Sequence, residues 1–323
     1  MIYIALPEKR IRRPSFYLAM EEHIARTKNI CDDCFFMWQV QPSVIFGRNQ
    51  LIEDEVNLSY CKEHNIEIYR RKSGGGCVYA DLANIMFSYI TRDENVNFTF
   101  NRYINMIILM LGKLGIDAKT SGRNDILIDG KKISGNAFYH IPGHSIVHGT
   151  MLYDTNMENM VGSITPSNHK LISKGVKSVR QRIALIKDHT TLTLNDFKGF
   201  IKNDLCDKEI TLTEKDIQII KMIEKEYLSK EFILGKNPRY TIIRKRRIEG
   251  CGELEVTLEF KNEIIKKIDL HGDFFVTGDV DREILIPLIG TRLVRNELNQ
   301  VLPDDLSHII TNLQKKDFID MIL

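Results

Sequence analysis

The chain is 323 residues long, 43% hydrophobic and 27% charged, and its 45 basic and 43 acidic side chains leave a net charge of +2. That balance excludes disordered, collagen-like and coiled-coil classes, supplies enough length for one large core or two, and lacks the basic excess of a dedicated nucleic-acid binder. No apolar run reaches the roughly 18 residues of a membrane helix, and the start, Ile2-Tyr3-Ile4-Ala5-Leu6 followed by Glu8-Lys9-Arg10, is not a signal peptide. Six cysteines in so long a chain read as free thiols, and the expectation is a cytoplasmic protein.

In chain order, Pro14 to Ile24 predicts an amphipathic helix capped at Ser15. Cys31-Asp-Asp-Cys34 has the C-x-x-C spacing but no second pair to complete a zinc site. Strands are predicted at Phe35–Val40, Ser43–Phe46, Ile66–Arg70 and Ile85–Ile90, and the strongest helix pattern runs from Thr99 to Leu114. Ile126–Ile128, a turn at Asp129-Gly130, Lys132–Tyr139 and Ile146–Leu152 read as a β-hairpin with a further strand. Residues 163 to 181 form a polar stretch with Lys170, Lys174, Lys177 and Arg180, and Arg182 just beyond, the composition of a loop over an anionic ligand. Thr193 and Thr213 are candidate helix caps, Gly235-Lys236-Asn237-Pro238 breaks the chain, and three strand-like stretches with short helices follow. The boundary divides the chain into 1–238 and 239–323.

Three segments concentrate residue types that core packing does not require. In Arg70-Arg71-Lys72-Ser73-Gly74-Gly75-Gly76-Cys77-Val78-Tyr79, consecutive glycines bring bare N–H groups close to an anion while the flanking arginines bring charge. The spacing fits neither the P-loop nor the dinucleotide fingerprint. In Ser121-Gly122-Arg123-Asn124-Asp125, followed after the turn by Lys131-Lys132-Ile133-Ser134-Gly135-Asn136-Ala137, the hairpin lets Asp125 and Lys132 face each other, as a salt bridge or around a shared ligand. The third segment is Ser173-Lys174-Gly175-Val176-Lys177-Ser178-Val179-Arg180. Arg244-Lys245-Arg246-Arg247 reads as a solvated edge.

In order and spacing these segments, with His148-Gly149-Thr150 and the opening Pro14–Glu22 helix, resemble the lipoate-protein ligase family. The resemblance implies an α+β fold, a large mixed-sheet catalytic domain like that of biotin and lipoate ligases, followed by a small α+β accessory domain. It implies two steps: lipoate and ATP form lipoyl-AMP and diphosphate, then the lipoyl group passes to a lysine of an apo lipoyl domain of a 2-oxoacid dehydrogenase E2 subunit or of glycine-cleavage H protein.

Carried over residue by residue, the resemblance makes Lys132 the catalytic side chain and Asp125 a holder of Mg²⁺. Arg71, Ser73, Gly74, Gly75, Gly76, Cys77, Val78, Tyr79, Asn124, Asp125, Lys132, Lys174 and Arg180 would bind ATP and lipoyl-AMP. Gly76, Asn84, Lys132, Gly135, Ala137, His148 and Gly149 would contact lipoate. The 170–182 loop is expected to order over the adenylate. Ala80-Asp81-Leu82-Ala83-Asn84 departs from the family's His-Asp-x-Gly-Asn, which leaves lipoate against octanoate open. The competing readings are an ATP-independent transferase taking preformed lipoyl-AMP or an acyl-protein donor, a cysteine transferase, for which Cys77 is the one cysteine inside a motif, and a binding protein on the same scaffold.

Overall fold

The computed structural model describes residues 1–27, 33–48, 50, 52–93, 96–121, 124–164, 181–234, 240–262 and 264–323. Residues 165–180 of the predicted loop, with Lys174 and Arg180, lie outside them, as do Cys31, Gly122 and Arg123. Two compact units divide the chain, Met1–Lys236 and Asn237–Leu323.

In the first unit, β1 (Ile2–Ala5), β2 (Cys34–Trp38), β6 (Ile85–Thr91), β7 (Ala118–Thr120), β8 (Asp125–Ile128), β9 (Lys131–Ile141), β10 (His144–Met151) and β11 (Lys208–Thr211) form one mixed sheet. Its order is β11-β1-β2-β6-β10-β9-β8-β7, with β1 parallel to both neighbours and the remaining pairs antiparallel. Side chains alternate across a strand, so β2 sends Phe36 and Trp38 to one core and Phe35 to the other. The first core is closed by α1 (Pro14–Arg26) and α7 (Glu214–Leu228), the second by α4 (Val96–Gly112) and α6 (Leu194–Leu205). A smaller sheet, β4-β3-β5, joins Glu67–Arg70, Ser43–Phe46 and Cys77–Ala80 and packs with α2 (Ile52–Glu55), α3 (Leu58–Glu63) and α5 (Met157–Ile164). The short α8 (Lys230–Ile233) follows α7.

Local chemistry accounts for the boundaries. Helix α1 opens on Pro14 at its first position with Arg13 as an uncapped N-cap residue, so the predicted cap at Ser15 is displaced. Ser15 is buried inside the helix, and its hydroxyl donates to Glu224 at 2.7 Å. Thr193 and Thr213 cap α6 and α7 as predicted, the latter with a capping box to Asp216. Asp129 (φ 49°) and Gly130 (φ 74°) make the two-residue turn between β8 and β9.

The second unit is an antiparallel meander of β12 (Tyr240–Ile248), β13 (Gly252–Lys261) and β14 (Ile264–Phe274) with helices including α9 (Arg295–Val301) and α10 (Lys315–Ile322). Leu254, Val256, Leu258 and Phe260 alternate into its core. Arg244-Lys245-Arg246-Arg247 lies on edge strand β12, where Lys245 pairs with Glu253 across the ladder at 2.7 Å.

Candidate active site

Positive charge beside the glycine loop is abundant in sequence, but folding occupies it. Arg70 is fully buried; its Nη1 donates to the carbonyls of Arg48 (2.8 Å) and Gln50 (2.9 Å), its Nε to that of Ile233 (2.7 Å), and its guanidinium lies 4.4 Å from the Phe46 ring. Lys72 sits between Glu22 (2.7 Å) and Glu226 (2.9 Å). Arg71 donates from Nη1 to Ile45 O (2.9 Å), from Nη2 to Gly74 O (2.8 Å) and Gly76 O (2.7 Å), and from Nε to Ser73 Oγ (2.9 Å). Burial pushes Arg71 down to about 10. These three basic residues therefore build the loop and its surroundings.

Arg71 takes the carbonyls of Gly74 and Gly76, and the N–H groups of Gly74, Gly75 and Gly76 make no hydrogen bond among the described residues. Such an unspent run of amides suits an anion. Gly75 is held at φ 89°, where a side chain is strained, and a Cβ on Gly74 would meet nothing within 4 Å. Gly47 admits the loop, because a Cβ there would stand 1.9 Å from Gly75 O.

Beneath the loop runs a buried chain of polar groups. Trp38 Nε1 donates to Ser88 Oγ (2.9 Å), Ser88 Oγ to Glu21 Oε1 (2.5 Å), Glu21 Oε2 lies 3.0 Å from His148 Nδ1, and His148 Nε2 lies 2.6 Å from Ser73 Oγ. Glu21 and Ser73 are completely buried and His148 is 5% exposed.

On the opposite wall, Lys132 Nζ and Asp125 Oδ1 approach to 2.8 Å. Asp125 pairs with Gly135 and Leu127 with Lys132 across a register shift between Ile126 and Leu127, so the lysine reaches its partner past the bulge. The contact is an ion pair outside hydrogen-bonding angles, and Asp125 Oδ1 is buried without an aligned donor. Gly135 makes room for the ammonium: a Cβ there would lie 2.6 Å from Lys132 Nζ and 2.7 Å from Cε. Asn124 and Asn136 clamp each other, each side-chain amide donating to the other's backbone carbonyl at 3.0 Å. Gly149 admits that clamp, since its Cβ would stand 1.9 Å from Asn136 Oδ1.

These walls enclose a cavity of about 160 Å³. Leu18, Trp38, Ile45, Val78 and Met86 make it apolar, while Arg71, Asn124, Lys132, Asn136, His148 and Thr150 make it polar. Gly75, Gly76, Cys77, Gly135, Ala137 and Gly149 also line it. Ser73, Gly74, Tyr79 and Asp125 are not among the lining residues. Asn84 does not reach it: fully buried, it donates to Asp81 Oδ1 (3.3 Å) and Thr155 Oγ1 (3.4 Å) and holds the β5–β6 turn.

Sequence reasoning missed Glu21, Trp38 and Asn136 as parts of the site. Asn136 stood inside a quoted motif, whereas Glu21 and Trp38 carry no local signal beyond an acid on a buried helix and the chain's single tryptophan. Burial, with Glu55 nearby, pushes the Cys77 thiol far up, which leaves it a poor nucleophile.

The catalytic-domain model of the lipoyl protein ligase A/B family matches residues 13–205, and the bacterial lipoate protein ligase C-terminal model matches residues 237–322. The chain belongs to the lipoate-protein ligase family. A lipoate-protein ligase of Bacillus subtilis is 36% identical, covering 98% of this chain and 99% of the relative, and lipoate-protein ligase 1 of Staphylococcus aureus is 31% identical over 98% and 99%.

Among solved structures, the bipartite lipoate protein ligase from a study of the archaeal lipoylation system of Thermoplasma acidophilum, which includes its E2 lipoyl domain, superposes with TM-score 0.66. It is 27% identical and covers 75% of this chain and 98% of that one. A second Thermoplasma acidophilum structure, with bound lipoic acid, gives 0.62 at 26% identity over 73% and 99%. A lipoate-protein ligase A bound with ATP gives 0.61 at 25% identity over 72% and 97%. The mixed-sheet α+β fold of the ligase family is thus the fold of this chain.

Proposed function

We propose that this ligase joins lipoate to ATP, releases diphosphate, and passes the lipoyl group from lipoyl-AMP to a lysine of an apo lipoyl domain. The observation that carries the reading is one cavity lined by apolar side chains, by Lys132, whose ion partner is Asp125, and by glycines of a loop whose amides make no hydrogen bond among the described residues. An acyl chain fits the apolar lining and its carboxylate the polar lining. Attack of that carboxylate oxygen on the α-phosphorus forms one P–O bond and breaks the bond to diphosphate. Lys132 and the loop amides stand where negative charge accumulates. The acceptor amine then attacks the acyl carbon, the bond to AMP breaks, and the amine loses a proton; Lys132 serves the departing phosphate again.

Asp125 would be the carboxylate for a divalent cation, exchanging its ion pair with Lys132 for the metal, since its Oδ1 has no aligned hydrogen-bond donor and Mg²⁺ is commonly held by one or two carboxylates together with phosphate oxygens. A bound Mg²⁺ would neutralise triphosphate charge. Residues 1–238 would carry this chemistry and 239–323 serve as the accessory domain, with Lys174 and Arg180 contributing to adenylate binding. Acceptors would be E2 lipoyl domains or H protein. The free state of the described cysteines fits a reducing cytoplasm.

Incubation with lipoate, ATP, Mg²⁺ and an apo lipoyl domain tests the reading through the intact mass of the domain. A gain of one lipoyl group that requires ATP supports it. Gain from preformed lipoyl-AMP but not from lipoate and ATP would replace it with a transferase.

A further inference from the structure

We propose that Glu21 is a positioning residue for adenylate formation, acting through His148 and Ser73 on the glycine loop. The inference rests on the ligase reading. Glu21 is a fully buried carboxylate on α1, and its oxygens receive Ser88 Oγ at 2.5 Å, face His148 Nδ1 at 3.0 and 3.1 Å, and accept from the Tyr139 hydroxyl at 3.4 Å. A carboxylate can only accept from an imidazole, so the proton facing it sits on Nδ1. In the neutral imidazole Nε2 is then an acceptor, 2.6 Å from Ser73 Oγ, and the serine proton points at it. That orientation leaves the lone pairs of Ser73 Oγ to Arg71 Nε at 2.9 Å, while Arg71 Nη2 holds the carbonyls of Gly74 and Gly76. With those carbonyls turned to the arginine, the loop amides are left for the ligand.

The same carboxylate reaches the other side of the cavity, since Ser88 Oγ accepts from Trp38 Nε1 at 2.9 Å. One side chain thus ties the acyl lining to the loop that would receive phosphate. A charged partner serves better than a neutral one, because Glu21→Gln can meet Nδ1 with either its oxygen or its NH₂. In the second orientation the imidazole proton moves to Nε2, and Ser73 loses its acceptor. Glu21→Asp keeps the tautomer with a shorter reach.

The test combines kinetics with the imidazole tautomer. Full-length protein labelled with ¹⁵N-histidine gives long-range proton–nitrogen spectra, in which His148 is identified by its loss in His148→Gln. Wild-type protein should show His148 neutral and protonated on Nδ1, and Glu21→Gln should move the proton to Nε2. Diphosphate release by Glu21→Gln should fall about 10- to 100-fold in kcat, with the KM for lipoate changed less than about threefold, as for groups behind a working imidazole. Glu21→Asp should retain the Nδ1 proton and an intermediate kcat.

A wild-type His148 protonated on Nε2, or on both nitrogens, would overturn the proposal, as would a wild-type kcat in Glu21→Gln. The tautomer is read without substrate, so it stands even if the wild-type chain forms no lipoyl-AMP, a result that would count against the ligase reading instead. If Glu21→Gln does not fold, the wild-type spectrum and Glu21→Asp still decide.

Discussion

Replacing Gly135 by alanine should move the Lys132 ammonium without removing it. The new Cβ would stand 2.6 Å from Nζ and 2.7 Å from Cε, and ordinary carbon contacts of about 3.5–4.0 Å require the ammonium to retreat by roughly 1 Å. The neighbour that must yield is the end of a flexible side chain, 37% exposed, and its ion pair with Asp125 is worth about 0–1 kcal/mol. Alanine at an extended position returns about 0.4–1 kcal/mol through the unfolded chain, so net stability should change by less than about 1 kcal/mol, a few degrees at most. Catalysis should suffer far more. A displacement of about 1 Å, or loss of one aligned donor, costs on the order of 10²-fold, about 2.7 kcal/mol of barrier. Diphosphate release with lipoate and ATP measures the rate and calorimetry the stability. A wild-type rate in a folded Gly135→Ala protein would refute the placement of the chemistry at Nζ, and a stability loss above about 2 kcal/mol would refute the claim that the lysine yields.

Lys132→Ala should abolish detectable diphosphate release while its melting temperature stays within a few degrees of wild type, and wild-type synthesis of lipoyl-AMP would remove Lys132 from the chemistry. Gly149→Ala should be structural, because Asn136 Oδ1 at 1.9 Å and the Gly135 carbonyl at 3.1 Å confine its Cβ; strain and a lost clamp should cost about 2–4 kcal/mol in denaturant unfolding. Cys77→Ala should transfer lipoyl groups within about threefold of wild type, since the thiol is not the nucleophile, and loss of transfer with an intact fold would restore the thioester route. Burial works against the Asp216 carboxylate, but the Thr213 hydroxyl and amide and His23, 2.9 Å away, hold it below the usual carboxylate range. Its stabilisation is therefore present above the unfolded pKa and lost as pH falls through the folded one. The melting-temperature gap between wild type and Asp216→Asn should be constant above about pH 5 and narrow progressively below about pH 4, and a gap that does not narrow with falling pH would refute the assignment.

Much of the fold is local in origin and could be read from the chain. Asp129-Gly130 makes its turn because both residues accept positive φ, and Thr213 caps α7 because Asp216 stands three residues on. Periodicity located β3 to the residue and α4 to within three, since each buries a continuous apolar pattern. β1, β5, β7 and β11 went unpredicted, and β11 is exposed throughout, held by its pairing with β1.

The sequence by itself determined the family, the glycine loop, and the hairpin that brings Asp125 and Lys132 near each other, while the bulge between Ile126 and Leu127 sets their contact. Only tertiary structure decided which charges remain for a ligand. Arg70, Arg71, Lys72 and Lys132 are all basic in the sequence, but the first three are held by carbonyls and carboxylates from segments up to 163 residues away, whereas Lys132 pairs with Asp125 of its own hairpin and lines the cavity. The same holds for Glu21 and His148, 127 residues apart in the chain and 3.0 Å apart in the fold. A buried polar group must find a partner, and which partner it finds depends on how distant segments pack, which no window of sequence contains.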